Sequence, residues 1–503
     1  MRGSRLTTRD HRLGRDHRLG RDRRAVVIGS GLAGLLAARV LLDHFDQVTI
    51  LDRDRFPGTP EHRKGVPQSY HAHGLLLHGR HIVEQLFPDL DTELRAHGAS
   101  PARGSVPLQV VCPFGPLPIS PMHDEFTMYS RILLEFLIRQ RLNRDYPHLH
   151  ALPETDALGL QTDAAGRVRG IRVRHRNGAG PDTLEADLVI DASGRGSKAP
   201  DWLATLGYGP VPEQSITSGI GYASRFYAKP EGFPRHWTGV VINGRAPHNR
   251  RAGLILDIEH GQWHVTLGGF ADAAPPLDET GFLQWARDLP DPTIYEAIRI
   301  ARPLTPIRGF RTPTNRLRHF DRLPSWPAGF VVTGDAVCAF NPIYGQGMTV
   351  AATDALVLRT CLQHYAAGTK PGFERAFQRR LATNVAMPWF VASMEDLRWP
   401  GVELHGTTPQ LGTTMARRWI DLMLRAAVRN RHLADKYLDV IMMNAHPRVL
   451  FSPGVIARVV TVALSGKIGI PSQEFALPGP ALAALRDATA PSSQPTSLMQ
   501  RTP

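Results

Sequence analysis

Cysteine is scarce in this sequence: only Cys112, Cys338 and Cys361 occur among its 503 residues, and they lie far apart. This spacing excludes a disulfide scaffold and a CxxC dithiol centre, and it favours a reducing compartment. The sequence also lacks an apolar run long enough to cross a bilayer. We therefore predict a cytoplasmic protein with no integral membrane segment.

Recognised nucleic-acid motifs are missing as well. The formal net charge is +13, and residues 1–24, which contain a repeated Asp-His-Arg-Leu-Gly-Arg unit, contribute +6 of it. The remaining +7 suits an anionic cofactor, and no RNP, zinc-finger or basic-zipper pattern accompanies it. We expect no nucleic-acid partner. Residues 1–24 and 489–503 are predicted to be disordered tails, because their sequences cannot bury enough apolar surface to become ordered.

Apolar residues are plentiful, at 42% of the chain, which is enough for a large core. An apolar run at Ala25–Ile28, a helical pattern at Leu32–Asp43 and a second apolar run at Gln47–Leu51 predict the opening of a parallel α/β sheet. Alternating and β-rich runs between residues 216 and 310 predict an antiparallel sheet.

Prolines shape the prediction for two other regions. Residues 104–122 contain five prolines and are predicted to be a loop. From about residue 348 the pattern is mostly helical, and prolines such as Pro388 are predicted to break the helices.

A glycine-rich turn lies between the first predicted strand and helix. Gly29, Gly31 and Gly34 form a GxGxxG motif. Such a motif allows a tight turn, a close backbone approach to a pyrophosphate and close packing of helix on strand. Asp52 ends the second strand, where a carboxylate accepts hydrogen bonds from ribose hydroxyls. The motif predicts dinucleotide binding and does not distinguish FAD from NAD.

A second glycine motif follows the predicted strand Phe330–Thr333, about 300 residues downstream. It begins at Gly334-Asp335 and reads GDAVCAFNPIYGQGM, and a helix is predicted to start near Met348. Here the chain resembles the flavoprotein monooxygenases of the p-hydroxybenzoate hydroxylase superfamily, whose motif is G-D-A-x…P-x-x-G-x-G. The resemblance implies FAD as the cofactor, with Asp335 on the ribityl chain and Pro342 to Gly347 against the isoalloxazine ring.

Two further segments carry the same resemblance. Arg131, at a predicted helix start, matches an arginine near the FAD phosphates, and the segment His62–Gln68 matches the stretch beneath the flavin. In that segment the resemblance implies Arg63 or Lys64 at the pyrophosphate and the Gly65-Val66 backbone at the ring. The predicted cofactor-binding residues are Gly29, Gly31, Ala33, Gly34, Asp52, Arg53, Arg63, Lys64, Gly65, Val66, Arg131, Gly334, Asp335, Pro342, Gly345, Gly347 and Met348.

The run Arg63–His73, together with Leu323–Pro327 and the second glycine motif, resembles actinobacterial polyether epoxidases of the lasalocid and monensin type. The implied fold class is α/β, with a Rossmann-like FAD-binding domain interleaved with an antiparallel β-sheet substrate domain and followed by a C-terminal helical region. The predicted limits are 25–215 and 311–390 for the two parts of the FAD-binding domain, 216–310 for the substrate-domain sheet and 391–488 for the helical region.

One segment departs from the superfamily pattern. The usual Asp-Gly pair is replaced in Asp191-Ala-Ser193-Gly194, where serine occupies the aspartate place, as in flavin halogenases, geranylgeranyl reductases and some epoxidases. There is no second GxGxxG motif for another dinucleotide. Two electron sources stay open: NAD(P)H bound directly, or flavin reduced externally by a separate flavin reductase.

The resemblance implies an enzyme of secondary metabolism, a monooxygenase in which reduced flavin and O2 form a C4a-hydroperoxide that oxidises a hydrophobic small molecule. No side chain stands out as the base that phenol hydroxylation needs, which favours epoxidation of an alkene in a polyketide or terpenoid-like substrate. Aromatic hydroxylation, saturation of isoprenoid double bonds and a non-enzymatic flavin-binding role stay as alternatives. No catalytic side chain is assigned. His71 and His73, with no third ligand, do not predict a metal site.

Overall fold

A computed structural model describes residues 22–102, 108–118, 126–176, 178, 180–233, 237–366, 372–408 and 412–465. The predicted tail at 489–503 and all but the last three residues of the tail at 1–24 lie outside these ranges. Within the described ranges, no helix combines the length and the apolar character needed to cross a membrane.

The described chain contains twenty strands and twelve α-helices. The strands are β1 (Arg24–Ile28), β2 (Gln47–Leu51), β3 (Ser100–Ala102), β4 (Gln109–Cys112), β5 (Gly115–Pro116), β6 (Phe126–Met128), β7 (Leu149–Leu152), β8 (Thr155–Thr162), β9 (Val168–His175), β10 (Pro181–Glu185), β11 (Leu188–Asp191), β12 (Glu213–Ala228), β13 (Gly239–Ile242), β14 (Arg251–Ile258), β15 (Gln262–Gly269), β16 (Arg302–Pro303), β17 (Arg308–Arg318), β18 (Phe330–Val332), β19 (Cys338–Ala339) and β20 (Glu403–His405). The helices are α1 (Leu32–Leu41), α2 (Leu77–Leu86), α3 (Leu90–Ala96), α4 (Arg131–Asp145), α5 (Ala199–Thr205), α6 (Glu279–Arg287), α7 (Thr293–Ile298), α8 (Gly347–Ala366), α9 (Phe373–Asp396), α10 (Thr413–Ala427), α11 (Arg431–Ile441) and α12 (Pro453–Leu464).

The predicted parallel α/β opening is confirmed. Strands β18, β11, β1, β2 and β7 form a five-stranded sheet in that order, and every neighbouring pair is parallel. The apolar run of β1 is buried, as expected for a strand covered on both faces. Helix α1 connects β1 to β2 and packs against α8. Ligands bind such sheets outside the carboxyl ends of the strands, so this edge is where a cofactor site belongs.

A ten-stranded sheet forms the second layer, with antiparallel pairs dominating, as predicted for residues 216–310. Its main order is β19-β17-β12-β15-β14-β13-β4-β5, and β16 and β20 also pair with β12. The loop prediction for residues 104–122 was wrong at Gln109–Cys112, which forms β4 in parallel with β13. Pro113 follows this strand and does not interrupt it, so the strand keeps its ladder hydrogen bonds.

The C-terminal region is mostly helical, as the pattern predicts, with one correction. Pro388 does not break a helix but lies inside α9, buried among the helix's packing contacts. Tertiary packing therefore outweighs the helix-breaking tendency of this proline. Helices α10 to α12 share a hydrophobic cluster with β4 and with Phe114 and Leu117, so the C-terminal helices cover that edge of the large sheet.

Candidate functional site

The turn between β1 and α1 requires glycine at two positions for packing. Gly29 has a φ of +97°, and an added Cβ would lie 2.6 Å from the carbonyl oxygen of Ala192. A Cβ on Gly34 would lie 1.8 Å from the carbonyl oxygen of Gly29. Neither position has room for a side chain, because helix, strand and the Ala192 loop are in direct backbone contact.

Gly31 differs from these two because, apart from its sequence neighbours, no atom of the described residues lies within 4 Å of the position of its Cβ. The empty space is a cavity of about 540 Å³ at the carboxyl edge of the parallel sheet. Gly31 is also the residue that precedes α1. The first amides of a helix lack intrahelical partners and attract negative charge, so this wall fits a pyrophosphate.

Asp52 lies at the end of β2, on the wall of the same cavity. Its Oδ2 accepts hydrogen bonds from the amide and the hydroxyl of Ser30, at 2.8 and 2.7 Å, and its Oδ1 accepts one from the amide of Asp54. Burial raises the pKa of Asp52, but Arg63 and these hydrogen bonds outweigh it and hold the pKa below its usual value. Asp52 is therefore a fixed carboxylate with acceptor capacity facing the cavity.

Arg63 is buried and explains how Asp52 is oriented. Its guanidinium contacts Asp52 at 3.2 Å, Glu135 at 3.3 Å and the Ser30 carbonyl oxygen at 2.9 Å, and its side chain is only 4% exposed. Neither Arg63 nor Lys64 lines the cavity wall, whereas the sequence had suggested one of them at the pyrophosphate. The reason is that Glu135 in α4 holds the arginine away from the cavity.

The second glycine motif meets the same cavity from the other side. Gly334 has a φ of +64°, and the turn brings Asp335 to the cavity wall. Among the described residues, no side chain or amide forms a hydrogen bond or ion pair with the Asp335 carboxylate. Burial raises its pKa, with Arg195 and Arg131 opposing the rise. An inward-facing carboxylate without a protein partner fits the hydroxyl groups of a ribityl chain.

The loop from Pro342 to Gly347 is supported from beneath by buried polar side chains. Asn341 accepts hydrogen bonds from the Tyr222 hydroxyl at 3.0 Å and from the Ile343 amide at 3.2 Å. Asp396 accepts one from the Asn341 side chain and one from the Tyr344 hydroxyl, both at 2.8 Å. Burial raises the pKa of Asp396 to about 7. These bonds fix the loop relative to the large sheet and α9.

A second cavity, of about 690 Å³, lies on the other side of this loop. Its wall is largely apolar and comes from the large sheet and from α9, α10 and α11. Examples are Leu108, Leu254, Leu256, Met387, Leu424 and Leu438. Gly345, whose φ is +64°, lines both cavities. The two spaces therefore meet at one glycine of the loop.

Most of the predicted cofactor residues come together around the first cavity. Its wall includes Gly29, Gly31, Ala33, Asp52, Arg53, Gly65, Val66, Arg131, Asp335, Pro342, Gly345, Gly347 and Met348. The wall does not include Gly34, Arg63, Lys64 or Gly334. Gly34 and Gly334 shape the two turns, and Arg63 orients Asp52.

Sequence reasoning missed several polar residues of the site. Arg195 lines the first cavity and donates to the carbonyl oxygen of Thr314 at 2.8 Å. Glu135, Asn341 and Asp396 were also not identified. Arg195 directly follows Ser193-Gly194, in the segment that departs from the superfamily pattern. Its position just after a strand of the sheet could have identified it as a site residue. Glu135 lies four residues after the predicted Arg131 and accepts a hydrogen bond from it at 2.8 Å, so this spacing was also a signal. Asp396 gave none, because its partner Asn341 is 55 residues away in the chain.

The two histidines noted in the sequence, His71 and His73, lie beside the first cavity and follow a 3-10 turn (Pro67–Tyr70). The His71 ring is within 2.7 Å of the Ser224 hydroxyl, and His264 contacts the Tyr70 carbonyl oxygen at 3.0 Å. Burial lowers the pKa of His71 to about 4 and that of His264 to about 3. The rings of His71 and His264 are therefore neutral at physiological pH.

We expect these neutral histidines to make the protein acid-labile. An unfolded histidine binds a proton below about pH 6.5, whereas folded His264 stays neutral to about pH 3. Its contribution to stability is therefore complete above pH 6.5 and is lost as the pH falls, at about 1.4 kcal/mol per pH unit. The thermal midpoint of a His264→Gln variant should fall less between pH 7.5 and 5 than that of the parent.

The comparison between variant and parent is needed because Asp354 and Asp396 oppose the effect. Burial raises the pKa of each carboxyl to about 7, so each favours the folded state as the pH falls towards 4. Their contribution is common to parent and variant and cancels in the difference. A control, His150→Gln at an exposed position of β7, should follow the parent. Equal slopes for His264→Gln and the parent would contradict the prediction.

Comparison with known proteins assigns the chain to a class. Residues 25–200 match the family described as FAD dependent oxidoreductase. The chain is 33% identical to Protein Rv3254 of Mycobacterium tuberculosis (strain ATCC 25618 / H37Rv) over 436 residues, which cover 82% of this chain and 88% of that protein. It is 26% identical to kynurenine 3-monooxygenase of Salinispora arenicola (strain CNS-205) over 463 residues, covering 86% and 93%.

A solved structure shows the same fold. p-Nitrophenol 4-monooxygenase PnpA from Pseudomonas putida DLL-E4 superposes with a TM-score of 0.58 at 14% identity, covering 84% of this chain and 98% of that one. The chain belongs to the FAD-dependent oxidoreductases, and within that class it is in one family with the mycobacterial Protein Rv3254. The open cradle at Gly31, the fixed carboxylate of Asp52 and the partnerless carboxylate of Asp335 fit FAD.

Proposed function

We propose that this flavoprotein is a monooxygenase that epoxidises an alkene of a hydrophobic natural product of the polyketide or terpenoid-like kind. The observation that carries the proposal is the meeting of the two cavities at Gly345. One cavity has the features of a dinucleotide site, and the other has the size and apolar wall of a small-molecule site. A substrate in the second cavity lies next to the loop that the flavin would contact.

When bound, FAD activates O2. The protein positions the reactants, stabilises developing negative charge and excludes water from the reacting centre. The N-terminus of α8, at Gly347, faces the first cavity, and helix amides there stabilise developing negative charge. The hydrogen bonds to Asn341 and Asp396 hold the intervening loop in place. The apolar wall of the second cavity excludes water from the reacting centre.

Among the polar groups of the second cavity, which include His78, His248 and His446, the carboxylates favour epoxidation over phenol hydroxylation. Its two carboxylates, Glu395 and Asp421, are both bound by Arg398, at 2.8 and 2.9 Å. A carboxylate held in this way is a poor acceptor for a phenol proton, whereas an alkene needs no base. Hydroxylation of an aromatic substrate is the second candidate, and the kinship with kynurenine 3-monooxygenase supports it.

The electrons are proposed to come from NAD(P)H, or from flavin reduced by a separate flavin reductase. Asp191 begins the segment Asp191-Ala-Ser193-Gly194, which departs from the superfamily pattern. Its side chain is buried and accepts hydrogen bonds from both the amide and the hydroxyl of Ser193, at 2.9 and 2.5 Å. The serine is thus turned towards its own strand end. This arrangement supports external reduction, since the segment presents no carboxylate to a second dinucleotide.

Oxygen labelling of the FAD-loaded protein tests the proposal. The protein is supplied with NADPH or chemically reduced FAD under ¹⁸O2, with a matched panel of terpenoid and polyketide alkenes and phenols. The expected product is an epoxide that carries one ¹⁸O atom per turnover. A labelled catechol from a phenol would establish the second candidate. Anaerobic saturation of the alkene without label would contradict both and identify a reductase.

A further inference from the structure

We propose that the second cavity contains an anion-binding pair, Arg245 and Arg425, and that the substrate is an apolar organic acid bound through its carboxylate. This inference deepens the proposed function and rests on it in one respect only, namely that the bound acid is a substrate. Both arginines line the cavity and both are exposed at its opening.

The two arginines converge on one buried aromatic ring. The guanidinium carbon of Arg425 lies 4.2 Å from the ring centroid of Phe114, and that of Arg245 lies 5.8 Å from it. The two guanidinium carbons are therefore within about 10 Å of each other, the sum of those distances. Arg425 belongs to α10. Arg245 belongs to a turn closed by two backbone hydrogen bonds of 2.8 Å with Asn249.

The pair has no counter-charge in the described part of the chain. No carboxylate there lies within 4.0 Å of either guanidinium, and the two carboxylates of the cavity wall, Glu395 and Asp421, are both bound to Arg398. Two like charges held near a buried ring repel each other, and the repulsion grows when water is displaced from the cavity. An anion bound at the cavity wall beside the two arginines lowers this cost and is attracted to both.

The shape and chemistry of the cavity define the ligand. A guanidinium binds a carboxylate through two parallel hydrogen bonds, which a neutral hydroxyl cannot match. The rest of the wall is largely apolar, with Leu108, Leu254 and Leu438 as examples, and it reaches Gly345 at the loop between the cavities. We infer a molecule with an apolar body directed towards the loop and a single carboxylate at the arginine pair.

Calorimetric titration of the FAD-loaded protein with decanoate and with decan-1-ol tests the inference. The two probes share their apolar chain and differ in the headgroup. Decanoate is expected to bind at least about tenfold more tightly, because a hydrogen bond to a charged group contributes that much. The double variant Arg245→Gln/Arg425→Gln should lose this preference while its affinity for decan-1-ol stays the same. Arg245→Lys/Arg425→Lys keeps the charge but not the paired hydrogen bonds, so it should retain only part of the preference.

The control variant is Arg418→Gln, an exposed arginine of the same helix that does not line the cavity, and it should bind both probes like the parent. Flavin absorbance and thermal midpoint verify that every variant is folded and loaded. Equal affinities of the parent for acid and alcohol, or an unchanged preference in the double glutamine variant, would overturn the inference.

The titration involves no turnover, so its outcome is separate from that of the labelling experiment. If arginine-dependent acid binding is found but no ¹⁸O is incorporated, the proposed function fails and the acid site stands. If ¹⁸O is incorporated but acid and alcohol bind alike, the proposed function stands and the acid site fails.

Discussion

Replacing Gly31 with valine is expected to abolish FAD binding and to leave the protein folded. The backbone at Gly31, with a φ of −71° and a ψ of 177°, suits valine, and the Cβ atom would meet no atom of the described chain beyond its sequence neighbours. The valine would instead occupy the space in front of α1 where a pyrophosphate approaches the amides. Loss of two charge-assisted hydrogen bonds corresponds to binding weaker by at least about a hundredfold.

The measurement is the dissociation constant for FAD, from flavin fluorescence, together with the thermal midpoint of the FAD-free protein. Gly58→Val is the matched control, since Gly58 also has nothing within 4 Å of its Cβ position but lines neither cavity. The control should bind FAD like the parent. Normal FAD binding by Gly31→Val would show that the first cavity is not the cofactor site.

Replacing Arg63 with methionine is expected to lower the free energy of unfolding by about 3–5 kcal/mol. The substitution removes the buried cation that lies between Asp52 and Glu135, whose side chains are only 11% and 7% exposed. Asp52 is then left buried without its counter-charge, and Glu135 keeps only its ion pair with Arg131 at 2.8 Å, which together cost more than the lost ion pairs contribute. Asp52 also loses the contact that orients it, so weaker FAD binding should accompany the lower stability.

Urea denaturation of the FAD-free protein measures the first effect, because it separates folding from cofactor affinity. Arg24→Met provides the comparison, since Arg24 pairs with Glu185 at 2.9 Å but both side chains are largely exposed. That substitution should cost no more than about 1 kcal/mol. If Arg63→Met and Arg24→Met are equally mild, the buried network does not have the structural role assigned to it.

The parts of the site that were predictable from sequence are those with local constraints. Gly29 and Gly34 are required by contacts within one strand–turn–helix unit, so their spacing alone identifies the turn. Asp52 follows from the length of that unit. The turn at Gly334-Asp335 was identified by its resemblance to the flavoprotein monooxygenases, and it follows a short buried strand of the same sheet.

The parts that were not predictable depend on residues distant in the chain. Arg63 was expected at the pyrophosphate because its own neighbours do not reveal Glu135, which arrives from α4. The support of the loop from Pro342 to Gly347 by Asp396 comes from the end of α9. Pro388 was expected to break that helix, since sequence pattern cannot weigh burial against the lost hydrogen bond. The wall of the second cavity assembles from several distant regions of the chain and has no local signature.

The residues that line the two cavities lie largely in different parts of the chain. The glycines and carboxylates of the first cavity lie mostly before residue 200 or in the loop at 334–348, whereas α10 and α11, which contribute to the second cavity, lie after residue 412. Substitutions in those helices change the shape offered to an incoming molecule without touching the cofactor cradle. Exchange of this segment between relatives is therefore a route to new substrate ranges on an unchanged oxidative centre.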